Sequence, residues 1–198
     1  MKKKKDIASK KILGIFSIYL IASLFYLTLI LFDNSLYSLF KLNISENIQN
    51  LIFIFQQDLI FFPAIIIFGL FAISIQKENK KEDNRLKKKK IVSFLLAFVI
   101  SLLISLILKQ LIYKPRPNLF FGGDSFPSGH ATGLFSLVPF LNKNSKPLKI
   151  IYVVFIAFIF ATRFVFGYHY LSDLFFGAIV GYSISFLIKS LFNIKKWK

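Results

Sequence analysis

The chain has 198 residues, 56% of them apolar, and carries a formal charge of +17 from 26 basic and 9 acidic residues. A water-soluble domain of that composition would expose large apolar patches, so the charge has to be segregated from the apolar runs. Cysteine is absent, which excludes disulfides, thiolate catalysis and cysteine metal sites.

The opening MKKKKDIASKK resembles the n-region of a signal peptide, but the apolar run after it, Ile12 to Phe32, is too long and lacks a small-residue cleavage site. It reads as an uncleaved first membrane helix. The stretch Asp33 to Asp58 follows as an outer loop, where Leu36, Phe40, Ile44, Ile48 and Ile52 fall at every fourth position. One apolar stripe at that spacing predicts a helix lying in the outer interface, with an unstructured loop as the alternative. Further apolar runs cover Leu59 to Gln76, Ile91 to Leu108, Ala131 to Leu141, Leu148 to Gly167 and Leu171 to Phe192. Pro63 marks a kink in the second, which membrane helices tolerate.

These runs predict an all-α, polytopic membrane protein with six transmembrane helices in a single domain, residues 1–198. The fourth run is the short one. Its length, roughly 17 Å as a helix, falls well below a hydrocarbon core of about 30 Å, so its N-terminal Pro-Ser-Gly-His turn is expected below the outer membrane surface.

Lys2 to Lys11, Lys77 to Lys90, Lys143 to Lys149 and Lys189 to Lys198 hold 21 of the 26 basic residues. If six helices alternate, all four segments share one face, and the positive-inside rule puts that face and both termini in the cytoplasm of a cell membrane. Topology and anionic inner-leaflet lipid account for the basic loop KENKKEDNRLKKKK, so no nucleic-acid partner is expected. Only Lys41, Lys109, Lys114, Arg116 and Arg163 remain for the extracytoplasmic half.

That half holds a short, ordered set of polar residues. KQLIYKPRP carries Lys109 and Arg116, FPSGH carries Ser128, Gly129 and His130, and TRFVFGYHYLSD carries Arg163, His169 and Asp173. Singly, each has a bland reading as a snorkelling anchor or a helix cap. Together they suit phosphoryl chemistry. Two arginines and a lysine can surround a tetrahedral oxyanion, and the helix-start amides of Ser128 and Gly129 add an anion site. His169 and Asp173 lie one helical turn apart, so the carboxylate can accept from one ring nitrogen and leave the other free to attack. His130 can then serve the leaving group. Lys114 and Asp124 read as surface residues or head-group contacts, and Tyr168 and Tyr170 as interface anchors.

In order and spacing these three stretches resemble the signature of the type 2 phosphatidic acid phosphatase superfamily, which is shared with vanadium haloperoxidases and bacterial acid phosphatases. Thr162 stands where that family usually has serine. The resemblance implies a hydrolase that needs no metal or other cofactor. In it His169 attacks phosphorus to form a phosphohistidine, Asp173 orients His169, and His130 protonates the leaving group and then activates water. Lys109, Arg116, Arg163, Ser128 and Gly129 would bind the phosphate. The substrate implied is a membrane lipid phosphate, with undecaprenyl diphosphate the first expectation because the chain resembles the small bacterial members. Phosphatidylglycerophosphate and phosphatidate compete with it. A phosphotransferase using the same site, and a non-enzymatic protein that only holds a phosphate, are the alternatives. Oligomeric state is not legible.

Overall fold

The computed structural model describes residues 2–42, 45–55, 57–75, 84–141 and 146–192. Among them lie seven α-helices: α1 (Lys2–Phe40), α2 (Glu46–Phe55), α3 (Asp58–Ile75), α4 (Asn84–Leu111), α5 (Gly129–Leu137), α6 (Lys146–Val165) and α7 (Leu171–Leu191). Short 3₁₀ turns occupy Leu119–Phe121 and Val138–Phe140. The only β-type pairing among the described residues is a bridge between Pro115 and Asp124.

Among the described residues five helices are long and apolar enough to cross a membrane: the Tyr19–Phe40 part of α1, together with α3, α4, α6 and α7. The chain is therefore an all-helical, multi-pass membrane protein. The sixth expected span is α5, whose nine residues and following 3₁₀ turn reach only about 18 Å. Among the described residues five helices are thus long enough to span, and the fourth of the six expected ones is short, as its sequence predicts. Much of the Lys-rich sequence, at 77–83, 143–145 and 193–198, lies outside the described residues.

The segment after the first span departs from expectation. Instead of ending at Phe32, α1 runs on to Phe40, so Leu36 and Phe40 extend α1 while Ile48 and Ile52 belong to the separate α2. Ile44 lies outside the described residues. The predicted stripe is therefore two helices. The physical reason is that the Asp33 carboxylate accepts from the Ser172 amide at 3.2 Å and from Lys114 Nζ at 2.8 Å. The Asn34 side chain accepts from the Tyr170 hydroxyl at 2.9 Å. Both side chains point to the last helix rather than turning back on their own backbone, where Asp and Asn usually interrupt a helix.

The helix α5 is a core element, with His130, Ala131, Thr132, Gly133, Leu134, Ser136 and Leu137 all buried. It packs against α7 at backbone distance. A methyl group at Gly177 would come within 2.5 Å of the Ser128 carbonyl oxygen, and one at Gly181 within 2.1 Å of that of Thr132. Small residues of this kind let membrane helices approach closely. On its other side α5 meets Phe98 of α4 and Phe62 of α3 beside Gly133, while Gly69 of α3 receives the ring of Phe94. Two buried hydroxyls of α5 are satisfied locally: Thr132 Oγ1 donates to the Ser128 carbonyl and Ser136 Oγ to that of Gly133. Lys189 Nζ donates to the Pro139 carbonyl and lies 5.8 Å from the Phe140 ring. A cation thus stands at the C-terminal end of the short helix, where carbonyls lack intrahelical partners. Large apolar side chains such as Leu31, Leu59 and Leu111 face outward, as a lipid-facing surface requires.

Gly181→Ala should separate α5 from α7 and cost about 1–3 kcal/mol by overpacking. Thermal unfolding in detergent should show a lower midpoint than wild type. Gly14→Ala, at a site where a methyl meets nothing within 4 Å, should leave the midpoint unchanged or raise it.

Candidate active site

Six of the eight predicted site residues line a single cavity of about 790 Å³: Lys109, Arg116, Gly129, His130, Arg163 and His169. Each comes from a helix end or an adjoining loop. Lys109 lies in the last turn of α4, Arg116 in the loop after it, Gly129 and His130 at the start of α5, Arg163 in the last turn of α6 and His169 just before α7. The rest of the lining is mostly apolar, including Phe53, Phe62, Leu102, Leu106, Phe120 and Phe121.

Local backbone geometry explains the six-residue spacing from Arg163 to His169. The Arg163 carbonyl accepts from the amides of both Tyr168, at 3.0 Å, and His169, at 3.1 Å, which folds the chain back beside the guanidinium. Gly167 makes the turn at φ 75°, a conformation that favours glycine. A methyl there would lie 2.5 Å from the Tyr37 hydroxyl and 2.9 Å from the Asn118 nitrogen. The Asn118 amide donates to the Gly167 carbonyl at 3.0 Å, which docks the Arg116 loop on this turn.

The cations are held with their charged ends toward the cavity. Lys109 Nζ donates to the Asp124 carbonyl at 2.9 Å. The Arg163 guanidinium carbon lies 4.8 Å from the Tyr168 ring centroid, and one terminal nitrogen meets His130 Nε2. The Arg116 Nε is buried without a hydrogen-bond partner, as is Asp124 Oδ1. Burial is the main force pushing the Arg116 guanidinium below its usual range. Arg116 lines the cavity, where a guanidinium can bind an oxyanion through paired N–H groups.

The two imidazoles are differently placed. His169 Nδ1 lies 2.6 Å from the Ser125 carbonyl oxygen, which can only accept. Nδ1 therefore carries the hydrogen and Nε2 a free lone pair. Burial, and then the positive charges of Arg163, Lys109 and Arg116 and the His130 ring, hold His169 well below the ordinary histidine range. It is neutral near pH 7. His130 stacks on Phe61 with centroids 4.1 Å apart, and its Nδ1 lies 3.6 Å from Asp58 Oδ1. A guanidinium cannot accept, so the Arg163 contact makes Nε2 the acceptor and leaves the Nδ1 hydrogen facing Asp58.

Two expected contacts are corrected. Asp173 does not take the His169 hydrogen: its Oδ1 accepts from Lys114 Nζ at 2.7 Å and its Oδ2 from the Tyr170 amide at 2.9 Å. In the first turn of α7 the carboxylate folds back on its own helix start, which the Ser125 carbonyl does not compete for. The Ser128 amide does not open on the cavity either, because it donates to the Asp173 carbonyl at 3.2 Å. Ser128 instead caps α5, its hydroxyl accepting from the Ala131 amide. Both Ser128 and Asp173 are fully buried.

Several residues read as peripheral belong to the site. Lys114 is not a head-group contact, since its ammonium donates to Asp33, Ser172 and Asp173. Asp124 supplies the carbonyl that holds Lys109. Tyr168 is buried under Arg163, stacked 4.0 Å from Phe121, and Tyr170 lies beneath Lys114. Tyr168, buried in the site, is therefore not an interface anchor. The Thr162 hydroxyl donates to the Phe158 and Ile159 carbonyls, a role serine would also fill. Asp33, Asp58 and Ser125 were not singled out from sequence. An acid at the end of an apolar run was the one available signal, for Asp33 and for Asp58 alike.

Residues 90–197 match the family model of the PAP2 superfamily. No curated protein matches the sequence. Two solved structures share the fold. The transmembrane PAP2-type phosphatidylglycerolphosphate phosphatase of Bacillus subtilis is 22% identical, with a TM-score of 0.62 over 90% of this chain and 98% of that one. LpxE of Aquifex aeolicus is 20% identical, with a TM-score of 0.54 over 80% of this chain and 94% of that one. The matched segment takes in the three cations and both imidazoles at the cavity, and with it the chain belongs to the PAP2 superfamily, as a multi-pass membrane phosphatase acting on phosphate esters.

Proposed function

We propose that this protein removes the terminal phosphate from a membrane lipid through a phosphohistidine on His169. The observation that carries the reading is a neutral imidazole whose Nδ1 is held by a carbonyl and whose Nε2 is free, among three cations and a second imidazole. In the first step Nε2 of His169 attacks phosphorus, the bond to the leaving oxygen breaks, and that oxygen takes a proton from His130, which acts here as the imidazolium, with a proton on Nε2 in place of the Arg163 contact of the resting site. In the second, His130 takes a proton from water, which attacks phosphorus, breaks the N–P bond and releases phosphate. Lys109, Arg116 and Arg163 neutralise the equatorial oxygens, and Gly129 lets the start of α5 approach them. Asp58 Oδ1 lies 3.6 Å from His130 Nδ1.

The site faces outward in this reading. The C-terminal ends of α1, α4 and α6 and the N-terminal ends of α3, α5 and α7 meet around the cavity or its supporting contacts. The opposite helix ends are the ones next in sequence to the four Lys-rich segments, which supports cytoplasmic termini and an extracytoplasmic site. The apolar lining supports a lipid whose chains stay in the bilayer.

The charge layout also bears on the leaving group. Undecaprenyl diphosphate is the first expectation from sequence, yet a diphosphate would bring a second anionic phosphate to the His130 side, where Asp58 lies 3.6 Å from Nδ1 and the Arg163 guanidinium at Nε2 is already one of the three cations around the transferring phosphate. Lys114 is already engaged by two carboxylates. This favours an alcohol leaving group whose hydroxyls can donate to Asp58, as in phosphatidylglycerophosphate. Phosphate release from the three lipids, compared by kcat/KM with EDTA present, should rank phosphatidylglycerophosphate above undecaprenyl diphosphate. The reverse order would restore the diphosphate reading.

With His169→Ala, release should fall at least about 10³-fold, and the acid-labile label trapped from a ³²P-labelled substrate should vanish. Trapping that persists in the variant would remove His169 as nucleophile. His130→Ala should cost about 10²–10⁴-fold.

The pH profile follows from the lowered His169. The nucleophile is lost only when pH falls through its depressed value, so the acid limb of kcat/KM should lie below pH 6.5. An acid limb at or above 6.5 would contradict the crowded, buried environment of this imidazole.

A further inference from the structure

We propose that Lys114 is a positioning residue: clamped between Asp33 of α1 and Asp173 of α7, it holds the loop that fixes His169 as its Nδ1–H tautomer. The proposal rests on the reading of His169 as the nucleophile. It assigns a role to two residues, Lys114 and Asp33, that match no motif position.

The ammonium has three N–H groups and three acceptors: Asp33 Oδ2 at 2.8 Å, Ser172 Oγ at 2.8 Å and Asp173 Oδ1 at 2.7 Å. Its donors are therefore saturated, and the residue does not line the cavity. Asp33 is equally committed, since its carboxylate also accepts from the Ser172 amide and hydroxyl. A buried charge near the end of an apolar helix is costly and is retained where it does something. Here it joins the otherwise peripheral α1 to the catalytic end of α7.

The backbone of Lys114 carries the effect onward. Its carbonyl accepts from the Ser125 amide at 2.7 Å and from the Ser125 hydroxyl at 3.0 Å. Ser125 is fully buried, and its own carbonyl accepts the His169 Nδ1 hydrogen at 2.6 Å. Anchoring the Lys114 side chain thus sets the position of one carbonyl, which sets that of Ser125, which sets the ring. If the Ser125 carbonyl moves away, the Nε2–H tautomer becomes accessible. Its lone pair sits on Nδ1, facing away from the phosphate, and it is inert as a nucleophile.

Only two histidines are present, so ¹⁵N-histidine NMR of the detergent-solubilised protein, with His130→Gln for assignment, reads the tautomer directly. Wild type should show Nδ1–H for His169. Lys114→Met should show a mixture, with kcat lowered about 100-fold and KM within about twofold, because the residue touches no substrate. The double variant Asp33→Asn/Lys114→Met restores the net charge of the cluster but not the clamp, and should recover neither tautomer nor kcat. Recovery in the double variant, or an unchanged tautomer and kcat in Lys114→Met, would overturn the proposal. Should Lys114→Met not fold, the isosteric Asp33→Asn carries the same readouts, and wild-type values there would overturn it too. The tautomer is read in the resting protein. Absence of a phosphohistidine in wild type would therefore refute the catalytic reading separately, without mimicking failure of the clamp.

Discussion

The close approach of α5 to α7 is the contact on which the site depends. Gly177 and Gly181 remove the side chains that would hold the two backbones apart, and the Ser128 amide reaches the Asp173 carbonyl as a result. One backbone hydrogen bond therefore ties the start of the helix bearing His130 to the first turn of the helix that follows His169. In a membrane protein no hydrophobic driving force between helices compensates for a gap, so this registration rests on packing and on such bonds. The shortness of α5 follows the same logic. A helix that stopped near mid-membrane in lipid would leave bare carbonyls, and here Lys189 supplies a donor at that end.

The residues that gather at the cavity were legible because their order in the chain reports the ends of successive helices. Lys109, Arg116, His130, Arg163 and His169 recur where alternating helices return to one face, and charge at those positions is rare enough to stand out. What the sequence could not convey is which polar groups satisfy which. Asp33 reaches Ser172 across 139 positions and Lys114 reaches Asp173 across 59, and nothing local announces either pair. The i to i+4 spacing of His169 and Asp173 suggested a bond between them. It failed because His169 precedes the helix, where the one-turn rule does not apply, while Asp173 at the third helical position turns back to the Tyr170 amide. The extension of α1 was hidden for a related reason. Asp33-Asn34-Ser35 reads as a helix stop until partners on α7 are available for the side chains.

Electrostatics then divides the polar residues into two groups with different tasks. Lys114, Asp33 and Asp173 form a cluster with one net negative charge, internally bonded and away from the cavity. Lys109, Arg116 and Arg163 face the cavity, where Asp58 at the rim is the nearby acid. The separation matters because a carboxylate among the phosphate ligands would cancel the field that stabilises the transferring group. The Ser125 carbonyl that holds Nδ1 would serve the proposed phosphohistidine as well. With Nε2 phosphorylated and Nδ1 still carrying its hydrogen, the ring would be cationic, among three cations that already disfavour its charged form, and the carbonyl dipole 2.6 Å from Nδ1 is the group placed to offset this. The surroundings that keep His169 neutral would otherwise oppose that intermediate.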